Sequence, residues 1–332
     1  MKEYSIFEKP VKVYGIPFFE EKKKLERVPE QLREGLGGYM PHLGRRCPGA
    51  RAEFRTNSPE ITVKVIFDTL SWDIGMSIFS CQSAYIYIGS HTTSRYAGHV
   101  YAESYDKKEC VREFEKSGEF EDVQIFLPRN EAVKDIIIGI EDGCEIADPT
   151  PYKYTSPVMF YGSSITEGGC CSKISNAYSS IISRRLDIDF YNFGFSGSCR
   201  GETEMAEYIN TIEKSALVYD YDHNAPDEEH LRKTHEPFFR LIREKNPDLP
   251  VIMTTMPLFW ESEHCERTEI IRTTYENALR DGDKNVYFID GGTFFPPENR
   301  VFCTNDNVHP NDLGMLYMAN AIEPVLKKAL GI

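Results

Sequence analysis

A short apolar run that ends in a glycine and two serines most limits how this chain can fold. Residues 158–161 predict a buried strand, and the strand stops at Gly162, which tolerates backbone angles that other residues avoid. Ser163 and Ser164 follow at the carboxyl end of that strand, where open α/β sheets hold their ligands. Residues 176–186 then have helical composition and spacing. The stretch predicts a strand–turn–helix unit with a serine at the sheet edge, although a plain polar loop fits the same residues.

Strand and helix patterns alternate throughout the chain after residue 150. This alternation predicts a parallel sheet with helices on both faces, joined by right-handed crossovers. Five strands favour a flavodoxin-like order of 2-1-3-4-5, in which every strand ends at the same edge. The predicted strands are 158–161, 189–193, 216–219, 251–255 and 285–289, and the predicted helices cover about 176–187, 201–214, 228–245, 265–281 and 311–330.

The period of the pattern is two in the first part of the chain. Ile61, Val63 and Val65 alternate with polar residues, and further strand-like runs follow. Turn signals between these runs, without long helical periods, indicate an antiparallel β-sandwich over about residues 8–146. We therefore expect a sandwich domain with its linker at 1–150 and a catalytic domain at 151–332. The further runs are 84–89, 123–128 and 134–140.

Composition narrows the possible partners. A formal charge of −14 repels phosphate backbones, so neither nucleic acid nor an anionic membrane surface is expected as a partner. Nine cysteines, an odd number, and no apolar leader at residues 1–5 favour a cytoplasmic protein with reduced thiols. Neither C-x-x-C nor H-E-x-x-H occurs, so neither a metal nor another cofactor is expected. The basic stretch 44–51 predicts a domain interface, or a site for an anionic or polyhydroxy substrate.

Polar residues follow each predicted strand of the second part. Ser164 follows the first strand, a small-residue turn at 192–198 follows the second, and Asn224 follows the third. Asp306 and His309 lie between the last strand and the last helix. An aspartate three residues before a histidine can fix the imidazole tautomer and stabilise its charged form. Because parallel strands end at one edge, we expect these side chains to meet there.

Four sequence blocks resemble those of the SGNH (GDSL-type) hydrolase family, in the family order and over about residues 157–330. Residues 162–166, Gly-Ser-Ser-Ile-Thr, resemble the nucleophile block, and 192–197 resemble the glycine block. Residues 222–224 resemble the Gly-x-Asn block, and 306–309 the Asp-x-x-His block. The N-terminal part resembles the β-sandwich that precedes this domain in a bacterial branch of esterases. Two departures are Ser163, where the family usually has aspartate, and Asp222, where it has glycine.

The resemblance implies an α/β fold: a three-layer α/β/α flavodoxin-like catalytic domain after an N-terminal, jelly-roll-like β-sandwich. It also implies that Ser164 is the nucleophile, that His309 is the base and that Asp306 orients it. The oxyanion hole would consist of the Ser164 and Gly197 backbone N–H groups and the Asn224 amide. Asp222, His223 and Trp260 are candidate substrate-binding residues, and a purely structural role is the alternative for His223 and Trp260.

We therefore expect a serine esterase that removes small acyl groups, acetyl above all, from sugars or oligosaccharides. One alternative is an esterase of lipids or lysophospholipids, and another is a non-catalytic carbohydrate-binding protein. A homo-oligomer is possible. Cys199 and Cys303 lie near the expected site but lack a base of their own, and His230, His235 and His264 are predicted to be surface residues.

Overall fold

The computed structural model describes residues 1–71, 73, 75–104, 106–257 and 265–332. Its first part is built from antiparallel strands with short helices between them. The helices are α1 (Phe19–Lys22), α2 (Glu30–Leu36), α3 (Met40–Leu43) and α4 (Ile78–Gln82). The strands are β1 (Lys2–Ser5), β2 (Lys12–Tyr14), β3 (Arg51–Thr56), β4 (Glu60–Phe67), β5 (Ala84–Ile88), β6 (Arg95–Val100), β7 (Glu109–Glu115), β8 (Glu121–Phe126), β9 (Val133–Ile140) and β10 (Ile146–Ala147).

These strands form two sheets that enclose one apolar core. One sheet has the order β1-β9-β4-β7 and the other β10-β3-β8-β5-β6, with β2 paired to β3. Ile61, Val63 and Val65 on β4 are fully buried between more exposed neighbours, as the period of two predicted. They share a core cluster with Phe54 and Ile125 of the other sheet. The arrangement is the predicted β-sandwich, and its first strand begins at Lys2 rather than near residue 8.

The second part of the chain alternates strands and helices around a parallel sheet. The sheet order is β12-β11-β13-β14-β15, so the predicted order 2-1-3-4-5 is confirmed. The predicted domain boundary at residue 150 falls between β10 and β11 and stays a prediction. The strands are β11 (Tyr154–Gly162), β12 (Ile188–Gly194), β13 (Ala216–Asp220), β14 (Val251–Thr254) and β15 (Val286–Ile289). The helices are α5 (Ser164–Glu167), α6 (Tyr178–Leu186), α7 (Thr203–Asn210), α8 (Glu228–Lys245), α9 (Glu266–Arg280) and α10 (Asp312–Leu330).

Helices cover both faces of this sheet. Along β11, Met159 belongs to the apolar cluster that includes Phe238 of α8, whereas Val158 belongs to the cluster that includes Ile182 of α6 and Ile322 of α10. Neighbouring strand residues point to opposite faces, so one strand serves both layers. The result is the predicted three-layer α/β/α architecture. No helix in the described ranges has the length and apolar character needed to cross a membrane.

Buried arginines from the basic stretch and its surroundings join the sandwich to the parallel sheet. Arg27 donates to the Asn192 carbonyl at 2.8 Å and to the Gly194 carbonyl at 2.7 Å. Arg51 forms an ion pair with Asp189 of β12. Of the two interpretations of residues 44–51, these contacts support the domain interface.

Candidate active site

The turn after β11 raises Ser164 at the edge of the sheet. Gly162 ends the strand, and a Cβ at that position would overlap the Asp220 carbonyl and the Thr166 hydroxyl, so only glycine fits. Ser163 is buried and caps α5, its hydroxyl accepting the Ile165 N–H at 3.2 Å. Ser164 is thereby the first residue of the helix, where backbone N–H groups have no partner within the helix.

Ser164, His309 and Asp306 form a continuous hydrogen-bonded chain. Ser164 Oγ lies 2.8 Å from His309 Nε2, and His309 Nδ1 lies 2.6 Å from Asp306 Oδ2. Because the carboxylate can only accept, Nδ1 carries the proton and Nε2 is free to accept from the serine hydroxyl. The sequence separates Ser164 from His309 by 145 positions, and the structure brings the three side chains together as the resemblance implied.

A tight turn holds the Asp306 carboxylate ionised against the imidazole. Its Oδ1 accepts the backbone N–H of His309 at 2.7 Å and that of Val308 at 3.0 Å, while Asn307 takes a left-handed conformation with φ of 65°. Burial alone would raise the pKa of Asp306, but these hydrogen bonds and the one from the imidazole hold that pKa below its usual value. The aspartate is therefore ready to stabilise a charged imidazole.

Two of the residues expected in the oxyanion hole, Gly197 and Asn224, lie side by side. The Gly197 N–H donates to Asn224 Oδ1 at 3.1 Å, and Asn224 Nδ2 donates to the Phe195 carbonyl at 2.9 Å. An amide nitrogen has two hydrogens, so one Asn224 donor stays available after the bond to Phe195. In this structure the Gly197 N–H is directed at Asn224.

Asp222 holds the backbone of Met256 and His223 in place through hydrogen bonds. Both oxygens of Asp222 accept backbone N–H groups, from Met256 at 2.9 Å and His223 at 3.1 Å. Burial raises the pKa of Asp222 to about 6. His223 Nε2 is buried and has no hydrogen-bond partner among the described residues. Burial, followed by the nearby His309, lowers the pKa of His223 to about 4. Substrate binding by these two residues stays a prediction, and Trp260 lies outside the described residues.

A buried carboxylate that sequence reasoning did not single out lies beneath the nucleophile. Glu167 ends α5, and one of its oxygens accepts both the backbone N–H of Ser196, at 3.0 Å, and the Ser196 hydroxyl. The other oxygen lies 3.9 Å from Arg46. Burial would raise the pKa of Glu167, but Arg129, Arg46 and Arg27 together lower it. The only signal in the sequence was the basic stretch 44–51.

A second buried acid, Asp220, packs against α5 from β13. It accepts hydrogen bonds from the Thr166 hydroxyl at 3.0 Å and from the Tyr178 hydroxyl at 3.4 Å. Burial, with the negative charge of Asp222 as the next cause, raises the pKa of Asp220 to about 8. Asp220 is therefore protonated at neutral pH.

Three histidines, His230, His235 and His264, were predicted to lie on the surface. His230 is partly exposed, and His264 lies outside the described residues. His235 is buried, not on the surface as predicted, because it faces the core from α8 and contacts Thr274 at 2.9 Å. Cys199 and Cys303 are buried. The thiol of Cys170 lies close to the triad. Among the described residues, only Cys170, Asp306 and His309 form a set of three possible metal ligands, and their ligand atoms lie within 4.8 Å of one another.

Comparison with known families agrees with this architecture. The model of the GDSL-like lipase/acylhydrolase family matches residues 155–327, and the model for the N-terminus of SGNH-hydrolase-type esterases matches residues 3–146. Because the first match alone spans just over half of the chain, the protein belongs to the GDSL-like lipase/acylhydrolase family. It is therefore a member of an esterase family with an SGNH hydrolase fold.

Solved structures share this fold over the whole chain. A protein from Bacteroides ovatus ATCC 8483, described as a GDSL-like lipase, is 24% identical with a TM-score of 0.87 and covers 100% of this chain and 98% of its own. Salicylyl-acyltransferase SsfX3 from a tetracycline biosynthetic pathway is 17% identical with a TM-score of 0.80, covering 100% and 98%. An acetyl xylan esterase from the rumen bacterium Butyrivibrio proteoclasticus is 12% identical with a TM-score of 0.63, covering 100% of both chains. A search of the curated proteins found no match.

Proposed function

We propose that this protein is a serine esterase that hydrolyses small acyl esters of sugars or oligosaccharides, acetyl esters in particular. The observation that carries the proposal is the hydrogen-bonded chain from Ser164 Oγ through His309 to Asp306, with distances of 2.8 and 2.6 Å. A serine hydroxyl needs such a base because it is a weak nucleophile at its own pKa. Membership of the family supports hydrolysis of an ester, and the hydrogen-bonded chain supports Ser164 as the nucleophile and His309 as its base.

The chemistry runs in two halves. Ser164 Oγ bonds to the acyl carbon as its proton passes to His309 Nε2, and the carbonyl electron pair moves onto oxygen. Collapse of this intermediate breaks the ester C–O bond, and the departing alcohol takes the proton from Nε2. Water then attacks the acyl-enzyme by the same route, which releases the carboxylic acid and restores the serine. Asp306 stabilises the imidazolium at both stages.

We propose that the Ser164 N–H, the Gly197 N–H and the Asn224 amide stabilise the oxygen on which negative charge develops. Gly197 and Asn224 are neighbours, because the Gly197 nitrogen lies 3.1 Å from Asn224 Oδ1. The Gly197 N–H has to turn from Asn224 Oδ1 to the substrate or share its hydrogen between the two. Removal of one such donor typically raises the activation barrier by on the order of 2.7–4 kcal/mol.

Support for an acylated carbohydrate comes from the neighbouring structures, which include an acetyl xylan esterase and a family two carbohydrate esterase in complex with cellohexaose. We also propose a reducing, cytoplasmic setting, because all nine cysteines are free thiols.

Hydrolysis of p-nitrophenyl acetate, butyrate and octanoate by wild type, Ser164→Ala and Ser163→Ala tests the proposal. Ser163→Ala is the matched control, since it removes the neighbouring hydroxyl and costs about 1 kcal/mol of helix capping but keeps the nucleophile. We expect a preference for acetate, loss of about 10⁶-fold in kcat for Ser164→Ala, and retained activity for Ser163→Ala. A serine-directed fluorophosphonate should label wild type at Ser164 alone.

Other results would select the alternatives. A preference for octanoate would favour the lipid esterase. Absence of both turnover and labelling, together with binding of oligosaccharides, would favour a non-catalytic binding protein. Full activity in Ser164→Ala would show that the nucleophile is another residue.

A further inference from the structure

A cleft of about 450 Å³ opens between the two parts of the chain, next to the triad. We call it the Phe302 cleft. One wall comes from the N-terminal part, through Gly75, Met76 and Ser77, and the other comes from the loops after β11 and β15. The cleft is therefore present only when the β-sandwich and the parallel sheet are packed together. The second wall includes Cys170, Phe302 and Asn305.

The inner end of the cleft adjoins the imidazole. Cys170 lines the cleft, and its sulfur lies within 4.8 Å of possible ligand atoms of both Asp306 and His309. The preceding residue, Gly169, is so close that a Cβ there would be 3.2 Å from His309 Cδ2, the ring carbon bonded to Nε2. Gly169 thus lies beside the edge of the ring that exchanges protons with the ester, and Cys170 lies close to the Asp306–His309 pair.

This position determines which half of an ester the cleft can hold. His309 Nε2 has to protonate the leaving oxygen, so the alcohol half must lie beside the imidazole. The carbonyl oxygen instead points toward Gly197 and Asn224, on a different strand end. We propose that the Phe302 cleft is the subsite for the alcohol half and that it binds a sugar ring, with Phe302 as its platform. The inference rests on the proposed esterase function and adds the location and chemistry of substrate selection.

The chemistry of the cleft fits a sugar better than an acyl chain. Phe302 is 62% exposed, yet its backbone is fixed because the Phe302 carbonyl accepts the Asn311 side-chain amide at 2.7 Å. An exposed aromatic ring offers a flat apolar face on which the C–H side of a sugar can stack. Around it are hydrogen-bonding groups: the Ser77 hydroxyl, the Asn305 amide, whose contact with the Cys170 carbonyl is long at 3.5 Å, and the Asp312 carboxylate, which already accepts the Ser172 N–H at 2.8 Å. Such groups can donate to and accept from sugar hydroxyls, whereas an acyl chain offers them no partner.

Two variants test the subsite from its two walls. Phe302→Ala removes the platform. Gly75→Trp fills the space from the N-terminal part, where a Cβ would lie 3.7 Å from Asp73 Oδ1 and, among the described residues beyond its chain neighbours, within 4 Å of no other atom. Val301→Ala is the matched control because Val301 is also apolar, is 79% exposed and is not part of the cleft wall. The probes are glucose pentaacetate and ethyl acetate, whose small alcohol does not extend into the cleft, with release of acetate as the readout.

We expect both cleft variants to raise KM for glucose pentaacetate about tenfold, which corresponds to ~1.4 kcal/mol of lost binding. Their kcat/KM for ethyl acetate should stay within about twofold of wild type, as should every value for Val301→Ala. An unchanged KM for glucose pentaacetate in both variants, or equal losses on the two esters, would overturn the subsite while Ser164-dependent hydrolysis of ethyl acetate still upheld the esterase. Wild type inactive on both esters would end the proposed function, and the subsite with it.

Discussion

Asp220→Asn should make the protein more stable at neutral and alkaline pH. Asp220 is a buried acid with a pKa of about 8, whereas an aspartate in the unfolded chain has a pKa of about 3.9. Between these two values the unfolded chain releases a proton that the folded protein keeps. The folded state then binds more protons, so the free energy of unfolding falls as the pH rises through this window. Asparagine does not titrate and is free of this loss.

The size of the effect follows from the window. Each pKa unit corresponds to 1.36 kcal/mol, so the wild type loses on the order of 5 kcal/mol by pH 8 relative to pH 4. Between pH 5 and pH 8 the advantage of Asp220→Asn should grow by about 4 kcal/mol. The hydrogen bonds are retained, because an amide oxygen can accept from Thr166 and an amide nitrogen can donate to the Tyr178 hydroxyl.

Urea unfolding followed by circular dichroism at pH 5, 6, 7 and 8 measures this difference. Asp248→Asn is the matched control, since Asp248 is exposed and the chemical change is the same. Its stability should follow that of wild type at every pH. The reasoning is refuted if the advantage of Asp220→Asn does not grow with pH, because Asp220 would then be ionised in the folded protein.

Two further substitutions probe the packing beneath Ser164. Gly194→Ala should destabilise the protein by about 3 kcal/mol or more, because a Cβ there would overlap the Glu167 backbone. Gly118→Ala is the control, since no described residue beyond its chain neighbours has an atom within 4 Å of that Cβ, and equal melting temperatures for the two variants would contradict the prediction. Glu167→Gln should cost about 3–5 kcal/mol in urea unfolding, because it removes the negative charge that faces Arg46, Arg129 and Arg27 in a buried environment. Unchanged stability would mean that other groups balance these arginines.

The sequence predicted the elements that depend on local pattern. Strand periods and turn signals are short-range properties, so the predicted bounds of β13 and of the last helix lie within one residue of the observed ones, whereas β11 begins four residues earlier than predicted. The meeting of Ser164 with His309 was also predictable, because the strands of a parallel sheet end at one edge. The roles of these residues in catalysis stay predictions until the substitutions are made.

Contacts between distant segments were not predictable in the same way. Arg46 and Glu167 are 121 positions apart, in parts of the chain with different periods, and no local pattern links them. His235 is a different case, because its position was readable: Leu231, His235, Phe238 and Ile242 are spaced three or four apart, and all four are buried on α8. The polarity of histidine predicts exposure and its place on the apolar face predicts burial, and the structure follows the second.

The contacts of Glu167 also bear on why the β-sandwich accompanies the parallel sheet. Glu167 lies on the nucleophile helix, and its carboxylate accepts the N–H of Ser196, the residue before Gly197. The positive charges that lower its pKa come from Arg129, Arg46 and Arg27, all in the first part of the chain. A fully buried carboxylate without these charges would become protonated or draw water in. The first part of the chain therefore helps to fix the loop that carries Gly197, one proposed oxyanion donor. Glu167 and the arginines that lower its pKa lie on opposite sides of the predicted boundary at residue 150 and act together.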